Sequence, residues 1–365
     1  MGEIRVQRAY YYCHRCGGAF PWDEQVGLTP KRLTPGAERA ASLAGLLTDS
    51  FEEAAEKVLP ELSGLHLSET TVQRTTEAAG ERLGQLLDEG KVLGGPTPWQ
   101  WHKDAEGQSC AYISVDATGV RQQACGGGAA EGRMPYVGMI YNPVPELPKD
   151  SPHAPPAKAQ MRARYVAGLY SLDDLSKILR RQGAQVGMDR ADRWIGLTDG
   201  GNGLEPFVTK SFPRVELVIL DFWHVSDHLG DLARAFYPQD EEQAKKQKGE
   251  WCHLLKHEGG AALIDVLEKM PLPERRPLVR AKLTEVLGYL RKNVDRMDYP
   301  TYLKKGWLIG SGSVESACKT VVAQRLKLAG MRWRELGTDN VCHLRALYKT
   351  ERAQWHLFWQ RTIAA

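Results

Sequence analysis

A chain of 365 residues is about twice a typical domain, so two or three domains and a sizeable buried core are expected. Its 42% hydrophobic and 25% charged residues are those of an ordinary globular protein, and a net charge of +3 is too small to announce a nucleic-acid partner by itself. No apolar run reaches the roughly 18 residues a bilayer span needs. The start MGEIRVQRAYYYC lacks a signal-peptide core, and the seven cysteines are thinly spread. The chain is therefore expected to be soluble, without a membrane partner, in the reducing cytoplasm.

Residues 1–30 read as loop, with the aromatic cluster Tyr10-Tyr11-Tyr12 and the pair Cys13-x-x-Cys16. That pair has zinc-knuckle spacing, but tetrahedral zinc takes four ligands. The next cysteines, Cys110 and Cys125, lie about a hundred residues on, and His14 between the pair cannot easily share its metal. Bound Zn²⁺ and a metal-free thiol pair both stay open.

Residues 31–93 read as helical: GAERAASLAGLL (36–47), FEEAAEKVL (51–59), a turn through Pro60 and Gly64, then a long helix opening at Ser68 with Glu69 in its first turn. Two helices joined by a turn, the second longer, make a helix-turn-helix candidate for DNA binding, a pattern also shared by helical hairpins that bind nothing. Gly94 to Asp104 reads as a linker.

From 105 to 225 the period changes. AYISVDATGV (111–120) and MPYVGMIYN (134–142) read as strands, YSLDDLSKILRRQGAQVG (170–187) as a helix and DRWIGLTDG (192–200) as a strand entering a Gly turn. LEPFVTKSF (204–212) then reads as a short helix and VELVIL (215–220) as a strand. This succession predicts an α/β domain with a mixed sheet. Gly126-Gly127-Gly128 reads as a hairpin turn and lacks the helix start of a phosphate loop. Residues 226–305 show no strand pattern and carry the charge-dense QDEEQAKKQKGE and the Pro-broken MPLPERRP, which predicts an all-helical insertion. GSGSVESACKTVVAQRLKLAGMRW (310–333) reads as a helix entered through Gly and Ser. From Thr301 to Ala365 eleven Lys and Arg face four acids, which suits either a phosphate backbone or a solvated helix surface.

Three acids occupy unusual settings, although an Asp at a strand end is commonly a turn or cap residue. Asp116 lies in an apolar strand, where an ionised carboxylate is costly unless paired or bound to metal. Asp199 sits where a strand meets Gly200 and Gly201, a place where strand ends of open α/β sheets face ligands. Glu315 lies in the first turn of a helix with Lys319 one turn on, where a helix-dipole role is the plainer alternative. Carboxylates on neighbouring strands plus one on a facing helix form an oxygen-rich site suited to Mg²⁺ or Mn²⁺.

The ordered motifs VDATGV, TDGGNG, FP with LDFWH, a helical insertion, GSGSVES and RLKLAGMRW resemble the bacterial insertion-sequence transposases of the Kra-type group, relatives of the Mutator-like DDE transposases. The resemblance spans nearly the whole chain, from YYYCHRCGG to Trp355 and Trp359. It implies an RNase H-like mixed-sheet catalytic core in two parts, 105–225 and 306–365, interrupted by the all-helical insertion and preceded by the helical region 31–93. It makes Asp116, Asp199 and Glu315 the catalytic and metal-binding acids of a DNA transposase using two Mg²⁺ (or Mn²⁺) ions. Its partners are then double-stranded DNA at terminal inverted repeats and target DNA, bound as a dimer at the nucleoid. Asp221 and His224 match a separate supporting motif, and strand order places Asp221 one strand beyond the second metal ligand.

The pair at i and i+3 shares a helix face with His228 one turn on, although a satisfied core or capping histidine is the alternative for His224. Arg325, Lys327, Arg332 and Arg334 follow Glu315 and suit a DNA backbone. Trp223 and Trp333 suit a stacked base or, as tryptophans more often do, the core. A transposase-derived DNA-binding protein that no longer cuts and an RNase H-like nuclease without strand transfer are the competing functions.

Overall fold

A computed structural model describes residues 7–26, 28, 33–201, 203–271, 276–310 and 312–364. The expected loop at the N-terminus contains a small hairpin instead, β1 (Tyr11–Cys13) with β2 (Gly17–Ala19), followed by the short helix α1 (Pro21–Gln25). Part of the MPLPERRP segment, 272–275, lies outside the described residues, as does Ser311.

Three helical segments follow. α2 (Pro35–Leu47) is capped by Thr34, and α3 is a continuous helical run over 51–63 that passes through Pro60 and stops at Gly64, whose φ of 64° suits glycine. The turn expected at Pro60 is therefore helix, because proline is tolerated in the first turn of its last segment. α4 (Glu69–Asp88) begins at Ser68, whose hydroxyl accepts from Thr71 N–H.

The central sheet holds β3 (Cys110–Ala117), β6 (Tyr136–Asn142), β7 (Arg162–Gly168), β8 (Arg193–Thr198) and β9 (Val215–Leu220), ordered β7-β6-β3-β8-β9. Counted in chain order within the sheet, this is 3-2-1-4-5. The first three strands pair antiparallel, whereas β3–β8 and β8–β9 are parallel. The mixed α/β architecture expected from the sequence is thus present, with β7 added at one edge. A second hairpin, β4 (Val120–Gln123) with β5 (Ala129–Arg133), turns at Gly126 and Gly127, both at positive φ.

Alternation along the strands splits the core in two. On one face Ala111, Ile113, Val115 and Val218 pack under α5 (Leu172–Gln185) and α6 (Leu204–Ser211). The approach is close enough that a Cβ at Gly138 would lie 2.6 Å from Leu179. On the other face Tyr112, Met139, Leu197 and Ile219 pack under α7 (Phe222–Phe236) and the C-terminal helices. The region expected to be an all-helical insertion contains, among the described residues, helices α8 (Glu241–Glu268), α9 (Pro277–Lys292) and α10 (Tyr299–Lys304) and no strand. None of the helices among the described residues is long and apolar enough to cross a membrane.

The segment read as one helix over 310–333 is shorter. α11 runs through Gly312–Ala317, a π turn Cys318–Ala323 and Gln324–Leu326. Met331 to Trp333 is then extended, and Trp333 exchanges backbone hydrogen bonds with Arg121 and Gln123 beside β4. α12 (Glu335–Lys349) lies against α4, where a Cβ at Gly80 would meet the Asn340 carbonyl oxygen at 2.1 Å. α13 (Arg352–Ala364) closes the chain, with Trp355 and Trp359 buried in the core.

Candidate active site

Three parallel strands end on the same side of the sheet, each with an aspartate within one residue of its end. Ser114 stands beside Leu197 and Thr198 beside Leu220, so the register carried forward sets Asp116, Asp199 and Asp221 at one level. Each is an even number of residues from a neighbour on the α7 face (Tyr112, Leu197 and Ile219), which aims all three carboxylates toward that side.

The three differ in their partners. Asp116 Oδ1 accepts from Ala117 N–H at 2.7 Å, and the Cys318 thiol donates to its Oδ2 at 3.3 Å. Burial raises its pKa above the ordinary aspartate range, and the charge of Asp199 adds to that, while the nearby His224 acts the other way. The same burial and the Asp116 charge hold the Cys318 thiol far up, so it stays a neutral donor.

Asp199 closes a D-G turn by accepting Gly201 N–H on Oδ1 at 3.0 Å. Asp221 is buried and caps α7, its Oδ1 accepting Trp223 N–H at 3.0 Å. Its backbone N–H donates to Thr198 C=O, which ties the two strand ends together.

α7 then brings His224 and His228 to the strand ends, rings 5.1 Å apart, and the Tyr289 ring of α9 lies tilted 4.3 Å from His228. The Tyr289 ring lies on Gly200, where a Cβ would clash at 2.3 Å, so the D-G turn requires glycine for a packing reason. Burial, then Asp199, pushes the Tyr289 hydroxyl far up. Burial, then His224, pushes His228 down. Trp223 is 56% exposed and leans on Gly310 at the entrance to α11.

Glu315 is exposed in the first turn of α11. It precedes Cys318 by three residues, so the helix face that delivers the thiol to Asp116 also carries Glu315. The approach of α11 is fixed by Leu308 N–H donating to Tyr112 hydroxyl and by Phe222 N–H donating to Ile309 C=O. Arg345 supports its π turn, donating to the Thr320 and Val321 carbonyls, and ties it to α2 through the Leu46 carbonyl. Among the described residues no three His, Cys, Asp or Glu side chains stand close enough together to hold a metal ion. The arrangement is two neighbouring aspartates with Glu315 set apart on the helix above them.

Sequence reasoning missed three residues here. Cys318 was detectable only as i+3 from Glu315. Tyr289 and Arg296 come from the helical insertion, where nothing in the pattern marks them. Arg296 is 7% exposed, donates to Thr198 Oγ1 at 2.7 Å and Val218 C=O at 3.0 Å, and ion-pairs with Glu205 at 3.5 Å. Burial lowers its pKa, which Glu205 partly opposes. It therefore joins the insertion to the ends of β8 and β9.

The expected DNA-contacting set is divided. Arg325 and Trp333 are withdrawn from it: Arg325 is 1% exposed, donates to the Gly45 carbonyl at 2.8 Å and lies 4.4 Å from the Phe51 ring, and Trp333 packs edge-on against Phe51. Lys327, Arg332 and Arg334 are exposed. Lys327 Nζ donates to Thr118 at 3.0 Å, two residues past Asp116. Arg332 and Arg334 alternate with buried Trp333 and line a cleft of about 810 Å³ with Arg74 of α4 and Arg133 of β5. Lys319 is exposed on α11. Cys13 and Cys16 lie in the exposed N-terminal hairpin, remote in sequence from these residues. No protein-family model matches the chain, and no curated protein is similar to it.

Proposed function

We propose that this chain is a DDE-type DNA transposase of the Kra-type group, with an RNase H-like core that cleaves and rejoins DNA at the ends of an insertion sequence. The observation that carries the reading is the alignment of Asp116 and Asp199 at the ends of adjacent parallel strands, in a 3-2-1-4-5 sheet, with the Glu315 helix joined to Asp116 through Cys318. The partners of Asp116 fit a divalent cation: an amide and a neutral thiol leave a half-buried carboxylate beside a second carboxylate, a charge that Mg²⁺ would balance.

Asp116 and Asp199 would hold the metal, with Glu315 completing the set. Two Mg²⁺ ions supply stabilisation of the attacking and leaving oxygens in phosphodiester chemistry. The chain's own part is positioning. Cys318 and the Ala117 amide orient Asp116, the D-G turn under Tyr289 orients Asp199, and Asp221 with Thr198 holds the strand ends in register. His224 stands close enough to Asp116 to oppose the rise of its pKa. In cleavage, water oxygen bonds to phosphorus, the P–O3′ bond breaks and the freed 3′-oxygen takes a proton. In joining, that 3′-hydroxyl bonds to a target phosphorus and displaces the target's own 3′-oxygen. Neither step needs an oxidant or reductant. Lys327, Arg332 and Arg334 would follow the DNA backbone away from the acids. Synapsis of two ends implies a dimer on DNA.

The test uses DNA from the ends of the element. Asp116→Asn and Glu315→Gln are expected to lower Mg²⁺-dependent cleavage by at least about 10³-fold with the chain still folded. Cleavage that survives either substitution removes the assignment. Nicked products without joined molecules would favour a nuclease over a transposase.

A further inference from the structure

Of the ten tryptophans in the chain, seven are exposed by 7% or less, and Trp223 is the most exposed at 56%. An indole left in water forgoes the burial that tryptophan normally contributes, so its setting calls for an occupant. The backbone there is fixed by the carboxylate that follows β9: Asp221 Oδ1 accepts the Trp223 N–H in the first turn of α7. Phe222 points inward, edge-on to Tyr299 at 5.5 Å, and the next residue round the helix faces out.

The indole is nonetheless held. Phe222 meets it edge-on at 5.5 Å, and Gly310 lies against its pyrrole edge, where a Cβ would stand 2.5 Å from Nε1 and 2.6 Å from Cδ1. Any side chain at 310 would displace the ring, so glycine there seats the indole while leaving much of it open. The seat is part of the acidic end of the sheet. Trp223 follows Asp221 by two residues, Gly310 precedes Glu315 by five, and Phe222 N–H donating to Ile309 C=O joins the two segments. Trp333, the other tryptophan whose sequence setting suits a stacked base, differs: it is 7% exposed, with the Arg325 guanidinium 5.0 Å over its ring and Phe51 edge-on at 5.8 Å.

A phosphate gains nothing from an aromatic face, whose quadrupole is negative. A nucleobase does fit, because every base has a π face and stacking on an aromatic ring is tolerant of sequence. In an intact duplex both faces of a base are already stacked, so the occupant is a base displaced from the helix. We propose that Trp223 is a stacking platform for one unpaired base of the DNA strand, beside the phosphate that reacts. This rests on the transposase reading and adds to it a contact that holds a strand end open, with the base on the indole and its phosphate at the carboxylates.

The full-length chain is titrated in EDTA, so that binding is read without cleavage, with duplex DNA from the ends of the element. One duplex is intact, and the others each lack a single base at successive positions around the cut. The native chain is expected to bind about ten-fold more weakly when one particular base is missing, and to be indifferent to its neighbours. Trp223→Leu keeps an apolar side chain against Gly310 without a flat face; it should bind the intact duplex about ten-fold more weakly and no longer respond to the missing base. Trp223→Phe should restore most of both, and Tm should stay the same in all three because the ring is largely in water. A Trp223→Leu chain that loses the same factor as the native chain at the missing base, or a native chain indifferent to every removal, overturns the proposal and leaves the acids untouched. Failure of the transposase reading shows separately, as Mg²⁺-dependent cleavage that survives Asp116→Asn. A native chain that binds none of these duplexes overturns both.

Discussion

The basic residues occupy two regions that behave differently. In the interior, Arg296, Arg325 and Arg345 aim their guanidinium groups at backbone carbonyls and join segments distant in sequence: the insertion to the ends of β8 and β9, α11 to α2, and α12 to both α11 and α2. Burial lowers Arg325 and Arg345 to about 10, so each is still charged at neutral pH. At the surface, Lys327, Arg332 and Arg334 hold their charges in water. Arg325 and Lys327 are two residues apart yet belong to opposite groups, because α11 ends between them and the chain turns outward. A count of positive charge near the C-terminus therefore combines residues that hold the fold with residues free to meet a polyanion.

The largest effect that separates the two groups is expected at Arg296. Arg296→Met keeps the volume but leaves the Val218 carbonyl and the Thr198 hydroxyl without their buried donor, a loss of about 3 kcal/mol in chemical denaturation. Arg296→Lys retains charge without the planar fork and should recover only part of it. Because Arg296 holds the strand end that leads into Asp199, the lysine variant should also need more Mg²⁺ for half-maximal DNA cleavage. An unchanged Mg²⁺ requirement beside a lowered Tm would make Arg296 a support of the fold alone.

A smaller effect, with a definite sign in pH, is expected at Asp116. Burial, with Asp199 adding to it, raises this carboxyl, so the folded chain binds its proton more tightly than the unfolded chain. Between the ordinary aspartate value and the raised one, folding takes up a proton, and stability falls as pH rises through that window. Asp116→Asn should therefore raise Tm at neutral pH without divalent metal. The gain should vanish once the pH falls well below the ordinary aspartate pKa of about 3.9. Mg²⁺ should then stabilise the native sequence more than the variant. A variant less stable than the parent at pH 7 in EDTA contradicts the account of Asp116 as a costly, half-buried charge.

Much of this architecture could be read in the residues. VDATGV, DRWIGLTDG and VELVIL are short, β-branched and bounded by turns, so their strands and terminal aspartates stood out. β7 did not, because Arg162 and Arg164 break the apolar pattern of RARYVAG; Arg164 is nonetheless fully buried, bonded to Gln185 and Thr97 and paired with Glu351. An isolated sequence does not distinguish an arginine satisfied by residues far along the chain from one in solvent. Tyr289 and Arg296 were hidden for the same reason: their roles exist only once the insertion folds back on the strand ends. Trp333 shows the converse, since its flanking arginines suggested an exposed nucleic-acid contact while the strand-like alternation of Arg332, Trp333 and Arg334 buries the ring.

The smallest stability effect, and the most selective for function, is expected at those flanking residues. Replacing Lys327, Arg332 and Arg334 together by alanine should change stability by less than about 0.5 kcal/mol per site, since the side chains are exposed and pack against little. DNA affinity should fall at low salt, and the slope of log affinity against log salt should flatten by about 0.9 for each phosphate that is no longer neutralised. Arg325→Met should do the reverse, lowering stability while leaving the salt slope unchanged, because its guanidinium is spent on the Gly45 carbonyl and the faces of Phe51 and Trp333. If instead Arg325→Met flattens the slope and the exposed triple variant does not, α11 must unwind on DNA to release Arg325, and the division between interior and rim would describe the free protein alone.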